Sequence, residues 1–99
     1  MKTKKYKKLG IEVTETMHYG KTYKECMKLK PKGWELLTGE EAMRVWWIEK
    51  FNDWFFVEPF IKDCVAWLVA YSYRASLNGY GVPPVEYPDL GVRYCRSLK

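Results

Sequence analysis

An α+β domain, with a twisted antiparallel sheet of about four or five strands and two helices, is the fold the sequence predicts. Three observations carry this prediction. Two Thr-x-x-Glu pairs, Thr22 with Glu25 and Thr38 with Glu41, each head an apolar-patterned stretch. That arrangement satisfies two orphan backbone N–H groups at a helix start. Apolar and polar residues alternate over 9–17 and again over 90–99, the period of a half-buried strand. Finally, the chain has 99 residues and is 17% aromatic. A chain of that length builds one core, and rings burying about 150–250 Å² each supply much of its driving force.

The elements follow in order. Lys2, Lys4, Lys5, Lys7 and Lys8 crowd the first eight residues, which are expected to form a flexible basic tail ahead of a single α+β domain over 9–99. In "LGIEVTETM" (9–17), Leu9, Ile11, Val13 and Met17 point one way and Glu12, Thr14 and Thr16 the other, with Glu15 interrupting the apolar side. This is a strand pattern. "HYGK" (18–21) turns the chain at Gly20. "TYKECMKLKPKG" (22–33) is a short helix with Thr22 as N-cap, a face of Tyr23, Cys26 and Met27, and Pro31 and Gly33 to end it. "WELL" (34–37) suits a short buried strand. "TGEEAMRVWWIEKFN" (38–52) is a second helix, with acidic residues at the positive end of its dipole. Ala42, Val45, Trp46 and Glu49 run along one side; Met43, Trp47, Phe51 and Trp54 run along another. Apolar residues nearly all round predict cover on two sides, one by the sheet and one by a second copy of the chain. "DWFFVEPF" (53–60) is rich in strand formers and ends at Pro59, which points to an edge strand.

"CVAWLVAYSYRAS" (64–76) fits two periods. As a helix, Phe60, Ile61, Cys64, Trp67, Leu68, Tyr71 and Ala75 make one stripe. As a strand, Val65, Trp67, Val69, Tyr71 and Tyr73 alternate with Cys64, Ala66, Leu68, Ala70, Ser72 and Arg74. Periodicity does not separate the two; the β-branched and aromatic content of one face favours the strand. "LNGYGVPPVEYPD" (77–89) is a loop, with Asn78-Gly79 supplying positive φ and Pro83-Pro84 preventing regular pairing. "LGVRYCRSLK" (90–99) is a closing strand, with Val92 and Tyr94 against Arg93 and Cys95.

Charge and cysteine usage narrow the function classes. The net charge is +5, and because five lysines lie in the first eight residues, the remainder balances. A lysine-rich end is an electrostatic footprint for nucleic acid, and equally a solvated end that aids solubility. Cys26, Cys64 and Cys95 are widely spaced, with no C-x-x-C pair, so buried free thiols are expected rather than a zinc site. No apolar run follows the basic start, so no signal peptide is expected. No stretch is long and uncharged enough to span a membrane: 54–71 is the most apolar and holds Glu58, Lys62 and Asp63. Gln is absent and Asn occurs only at positions 52 and 78, a depletion associated with hyperthermophiles.

Chemistry-bearing motifs are missing. His18 is the single histidine and sits beside a turn. There is no G-x-S-x-G, P-loop, H-E-x-x-H or EF-hand pattern. Glu40-Glu41 is explained by the helix start. No catalytic residue, metal ligand or cofactor is assigned, and an enzyme is not expected.

Two fragments resemble a known family. "TYKECMKLKPKGWELLTGEEAMRVW" (22–46) resembles the start of C-type-lectin-like domains, where a short helix leads through a Gly-Trp strand to a helix opening with Thr and acidic residues. "AWLVAYSYRASLNGYG" (66–81) and "LGVRYCRSL" (90–98) resemble their closing strands. The likeness covers about half the chain. It implies an α+β domain and adds to the strand reading of 64–76. It also implies a disulfide between the first helix and the last strand, which here would join Cys26 and Cys95, slightly out of register. The family's calcium signatures are not carried over: Glu58-Pro59 is followed by Phe60, and Asn52-Asp53-Trp54 has a different order. The whole chain, through its length, its lysine-rich start and "VPPVEYPDLGVRYCRSLK" (82–99), is similar to small proteins of filamentous viruses infecting hyperthermophilic archaea. That likeness implies a location in the host cytoplasm or the virion and no particular activity.

The resulting expectation is a non-enzymatic viral interaction or structural protein acting as a homodimer, its interface built from Trp46, Trp47, Phe51, Trp54 and Phe56. The surplus of rings over what one small core accommodates motivates it. A second expectation is non-specific nucleic-acid binding through Lys2, Lys4, Lys5, Lys7 and Lys8. A third is a ligand- or glycan-binding module using loop 77–89; an unidentified protein partner is compatible with the first.

Overall fold

A computed structural model describes residues 1–80 and 88–99, Tyr80 by its backbone alone. Eight strands and two helices follow the order β1 (Thr3–Tyr6), β2 (Ile11–Thr14), α1 (Tyr23–Lys28), β3 (Glu35–Leu36), α2 (Gly39–Glu49), β4 (Asp53–Val57), β5 (Val65–Tyr71), β6 (Arg74–Tyr80), β7 (Leu90–Val92) and β8 (Tyr94–Ser97), with a 3-10 turn at Lys7–Leu9. The predicted α+β class holds. The strands, however, form two four-stranded sheets rather than one, in the orders β1-β2-β8-β3 and β6-β5-β4-β7. Pairing is antiparallel except between β4 and β7. The predicted closing strand 90–99 is split at Arg93, where the chain leaves one sheet and joins the other.

Both capping boxes form. The Thr22 hydroxyl accepts from the Glu25 N–H at 3.1 Å while the Glu25 carboxylate accepts from the Thr22 N–H at 2.9 Å. Thr38 and Glu41 repeat the pair at the same distances. Each helix therefore starts where its sequence says.

Pleating of the β4/β5 pair divides the core in two. Phe55, Val57, Ala66, Leu68 and Ala70 share one face and pack with Ala42, Val45 and Trp46 of α2 and with Ile11, Val13 and Cys95 of the other sheet. Phe56 and Trp67 lie on the opposite face, with Leu90, Val92, Cys26, Trp34, Leu36 and Tyr94. The second sheet is thus covered on both faces, which is why its central strands read as continuous apolar runs.

Several expectations are corrected. Residues 1–8 are not a free tail: Thr3–Tyr6 pairs with β2 over Thr3–Thr14 to Tyr6–Ile11, and Tyr6 is buried. Tyr6 and Ile11 supply the apolar contact that draws the lysine-rich segment onto the sheet. β4 is internal, between β5 and β7, because Pro59 falls beyond its last paired residue, Val57. The stretch 64–76 is β5, a two-residue turn at Ser72 and Tyr73, and the start of β6. The strand reading holds through Tyr71, and the helical alternative does not. Asn78 and Gly79 sit inside β6, opposite Trp67 and Ala66, rather than in a turn. A Cβ on Gly79 would lie 3.3 Å from both Ile61 Cδ1 and Phe60 Cζ, so glycine there admits the segment that folds over the strand. The remainder of the expected loop, including Gly81 and Pro83-Pro84, lies outside the described residues. No helix among the described residues is long and apolar enough to cross a membrane.

Candidate interaction surface

The five predicted interface rings part company. Trp46 and Phe56 are buried, and the Trp46 indole N–H donates to the Tyr71 carbonyl at 2.8 Å. Phe51 is half-buried beneath the Arg93 guanidinium, 4.5 Å from the ring centre. Trp54, also half-buried, meets Tyr71 edge to face at 6.5 Å. Trp47 alone stands in solvent, 70% exposed. The Lys50 ammonium caps it at 3.4 Å, a favourable cation–π arrangement. Ile48 beside it is also exposed. Helix α2 therefore buries one side, not two.

The five lysines are all exposed, and pleating of β1 sends Lys4 and Lys5 to opposite faces. Lys4 pairs with Glu49. Bonding from Lys4 and the Tyr6 hydroxyl holds the Glu49 carboxyl below its usual range. Burial, then the neighbouring Glu49, pushes Tyr6 up to about 12. Lys2, Lys4 and Arg93 do line one hollow of about 280 Å³, but Glu15 and Glu49 line it too. In that hollow the basic groups are offset by carboxylates.

The disulfide is not formed; Cys26, Cys64 and Cys95 are free thiols. Tyr94 and Cys95 are consecutive in β8 and face opposite ways. The Tyr94 hydroxyl reaches the Cys26 carbonyl at 2.6 Å, while Cys95 packs in the other cluster, its Sγ 3.8 Å from the Leu36 carbonyl.

What the structure adds is a contrast among sheet edges. Edge strand β1 carries Lys4 and Lys5, charges of the kind that deter further pairing. β3 has two residues. The outer side of β7 is met by Met17, whose N–H donates to the Val92 carbonyl at 3.0 Å and whose carbonyl accepts from the Val92 N–H at 2.9 Å. That approach needs a glycine at position 91, where a Cβ would fall 2.7 Å from Thr16 Cγ2 and 2.8 Å from the Met17 carbonyl oxygen. β6 differs from all three. It is seven residues long, "RASLNGY", with Arg74 its one charge, and no described strand pairs with its outer side. Leu77 is exposed. Gly39, Met43 and Trp47 recur at four-residue spacing along one side of α2, and Leu77 Cδ1 lies 2.8 Å from a Cβ built on Gly39. Trp47 and Leu77 thus belong to one flank. The sequence signal for this edge was a strand-like run without lysine, glutamate or proline, hidden by the turn-like Asn78-Gly79.

A second feature lies where β4 begins. Asp53 accepts from the Tyr19 hydroxyl at 2.8 Å, from the Trp54 N–H at 3.0 Å and from the Thr16 hydroxyl, with Arg93 3.7 Å away. Arg93 also donates to Thr16 at 2.8 Å. This knot ties the segment after β2 to β4 and to the crossover at Arg93. Burial, then the Asp53 bond, raises the Tyr19 hydroxyl above its ordinary value. Beside the knot is a hollow of about 500 Å³ whose walls include Tyr19, Asn52, Trp54, Tyr71 and Asp89.

Comparisons with protein-family models, curated proteins and solved structures find no match to this chain.

Proposed function

We propose that the chain is a non-enzymatic interaction protein that acts as a homodimer, with β6 pairing antiparallel to β6 of a second copy. The observation that supports this is the edge itself: seven strand residues, nearly uncharged, flanked by exposed Leu77 and Trp47. An edge of this kind is a template for strand addition unless something covers it.

The register follows from geometry. A two-residue connection makes Tyr71 and Arg74 a hydrogen-bonded pair. Alternation then turns the N–H and C=O groups of Ser76 and Asn78 toward β5, and those of Ala75, Leu77 and Gly79 outward. A two-fold axis through Leu77 therefore pairs Leu77 with Leu77 and Ala75 with Gly79. It sets Arg74 opposite Tyr80, so no like charges meet, and it joins two four-stranded sheets into a single continuous one. The interface moves accordingly from β4 to β6, with Trp47 kept and Trp46 and Phe56 left in the core.

The test is solution mass. Light scattering at micromolar concentration should return twice the 11.8 kDa chain mass. Leu77→Lys, which opposes two ammonium groups across the axis, should return the single-chain mass with unchanged circular dichroism. A wild-type monomer, or a Leu77→Lys dimer, refutes the proposal. Recovery of nucleic acid with the protein, lost at high salt and lost in a variant with Lys2, Lys4, Lys5, Lys7 and Lys8 changed to Ser, favours the basic segment instead.

A further inference from the structure

We propose that the hollow beside Asp53 is a binding site for a methylated ammonium group. Three observations on the walls carry it. First, the Trp54 and Tyr71 rings stand nearly perpendicular, 87° apart with centroids 6.5 Å from each other, and Tyr19 adds a third, half-exposed ring. An aromatic ring face attracts an organic cation through its quadrupole, and a trimethylammonium group presents an apolar surface that suits it. The Tyr71 ring also carries Tyr73, stacked at 5.9 Å and 17°, and the Arg74 guanidinium, 5.9 Å from its centre.

Second, the charge of the lining runs against that of the protein. The chain holds 17 Lys and Arg against 12 Asp and Glu, yet no Lys or Arg lines this hollow, while Asp53 and Asp89 do. Asp53 is shared with Arg93. Asp89 is exposed at the rim and makes no ion pair among the described residues, so it answers the ligand's charge. Third, the volume of about 500 Å³ falls within the range of small-ligand sites and holds such a headgroup with part of its stem. Asn52 does not compete for the ligand: its side-chain oxygen accepts from the Ser72 N–H at 2.8 Å.

The experiment uses the full chain and two-dimensional NMR of the indole N–H signals, with Trp54 assigned by Trp54→Phe. Choline chloride should shift the Trp54 signal saturably. Its neutral isostere 3,3-dimethylbutan-1-ol, equal in shape and lacking the charge, should bind about tenfold more weakly or worse. Tyr71→Leu should remove the response. Asp89→Lys, a rim substitution that leaves the core untouched, should weaken choline by about tenfold. Trimethyllysine serves as a second probe, since a tighter fit than choline identifies a modified lysine side chain as the source of the headgroup. Equal binding of choline and the isostere, no response to either cation, undiminished binding in Asp89→Lys, or a preference for glucose over choline would each overturn the proposal.

Discussion

Pleating sends Tyr94 and Cys95, neighbours in β8, to opposite cores. This one-residue step decides the redox chemistry of the molecule. Cys26 lies with Tyr94, and burial pushes its thiol up to about 11. Cys95 lies with α2; burial, then the Glu41, Glu35 and Glu58 carboxylates, pushes it up to about 12. A thiolate is the reactive form, so both are protected twice over, by access and by protonation. A thiol reagent at about pH 8 should therefore label Cys64 first in the native protein and all three cysteines after unfolding. Labelling of Cys26 or Cys95 at the rate of Cys64 would contradict their burial. The thiol default was visible in the odd count and wide spacing of the cysteines; the facing of each was not, because it depends on where β8 begins.

At the scale of elements, starts were legible and neighbours were not. A capping box is a contract among four consecutive residues, so Thr22–Glu25 and Thr38–Glu41 announced α1 and α2 without tertiary help. Thr38→Ala should cost about 1 kcal/mol, which for a domain of this size lowers Tm by about 4–8 °C. A loss below a few tenths of a kcal/mol in chemical denaturation would show that α2 is held by packing alone. Edge positions do not follow from local sequence, for a physical reason. Pro59 bars pairing at its own position and not within β4, which ends at Val57. Asn78-Gly79 permits a turn without compelling one, and the pairing of β6 with all of β5 outweighs it. The lysines of β1 were legible as charge but not as strand, since the anchor is one buried ring, Tyr6, in contact with residues far along the chain.

For the whole molecule, the carboxylates set the acid limit. Hydrogen bonds from Thr3 and Arg96 hold Glu12 below its usual range. The Thr22 cap does the same for Glu25, and Lys4 for Glu49. A carboxyl whose folded pKa is depressed contributes stability above its unfolded value, about 4.3, and loses it as pH falls toward the folded one. The net charge of +5 grows as these groups protonate, adding repulsion. Tm should therefore be level near neutrality and fall below about pH 4.3. Glu12→Gln should lower the plateau and flatten the acid limb. An identical limb in that variant would remove Glu12 from the account.

The sequence by itself determined the class, the helix starts and the absence of recognised catalytic motifs, and it favoured the strand over the helix for 65–71. These rest on neighbours within a few residues, where backbone geometry and capping act. Only the tertiary structure decided that the strands divide into two sheets at Arg93, that β6 rather than β4 lies at a sheet edge with no described strand beyond it, and that Tyr19, Trp54, Tyr71 and Asp89 wall one hollow. Those outcomes depend on contacts between distant segments, and periodicity says which face a side chain takes without saying what will be there to meet it.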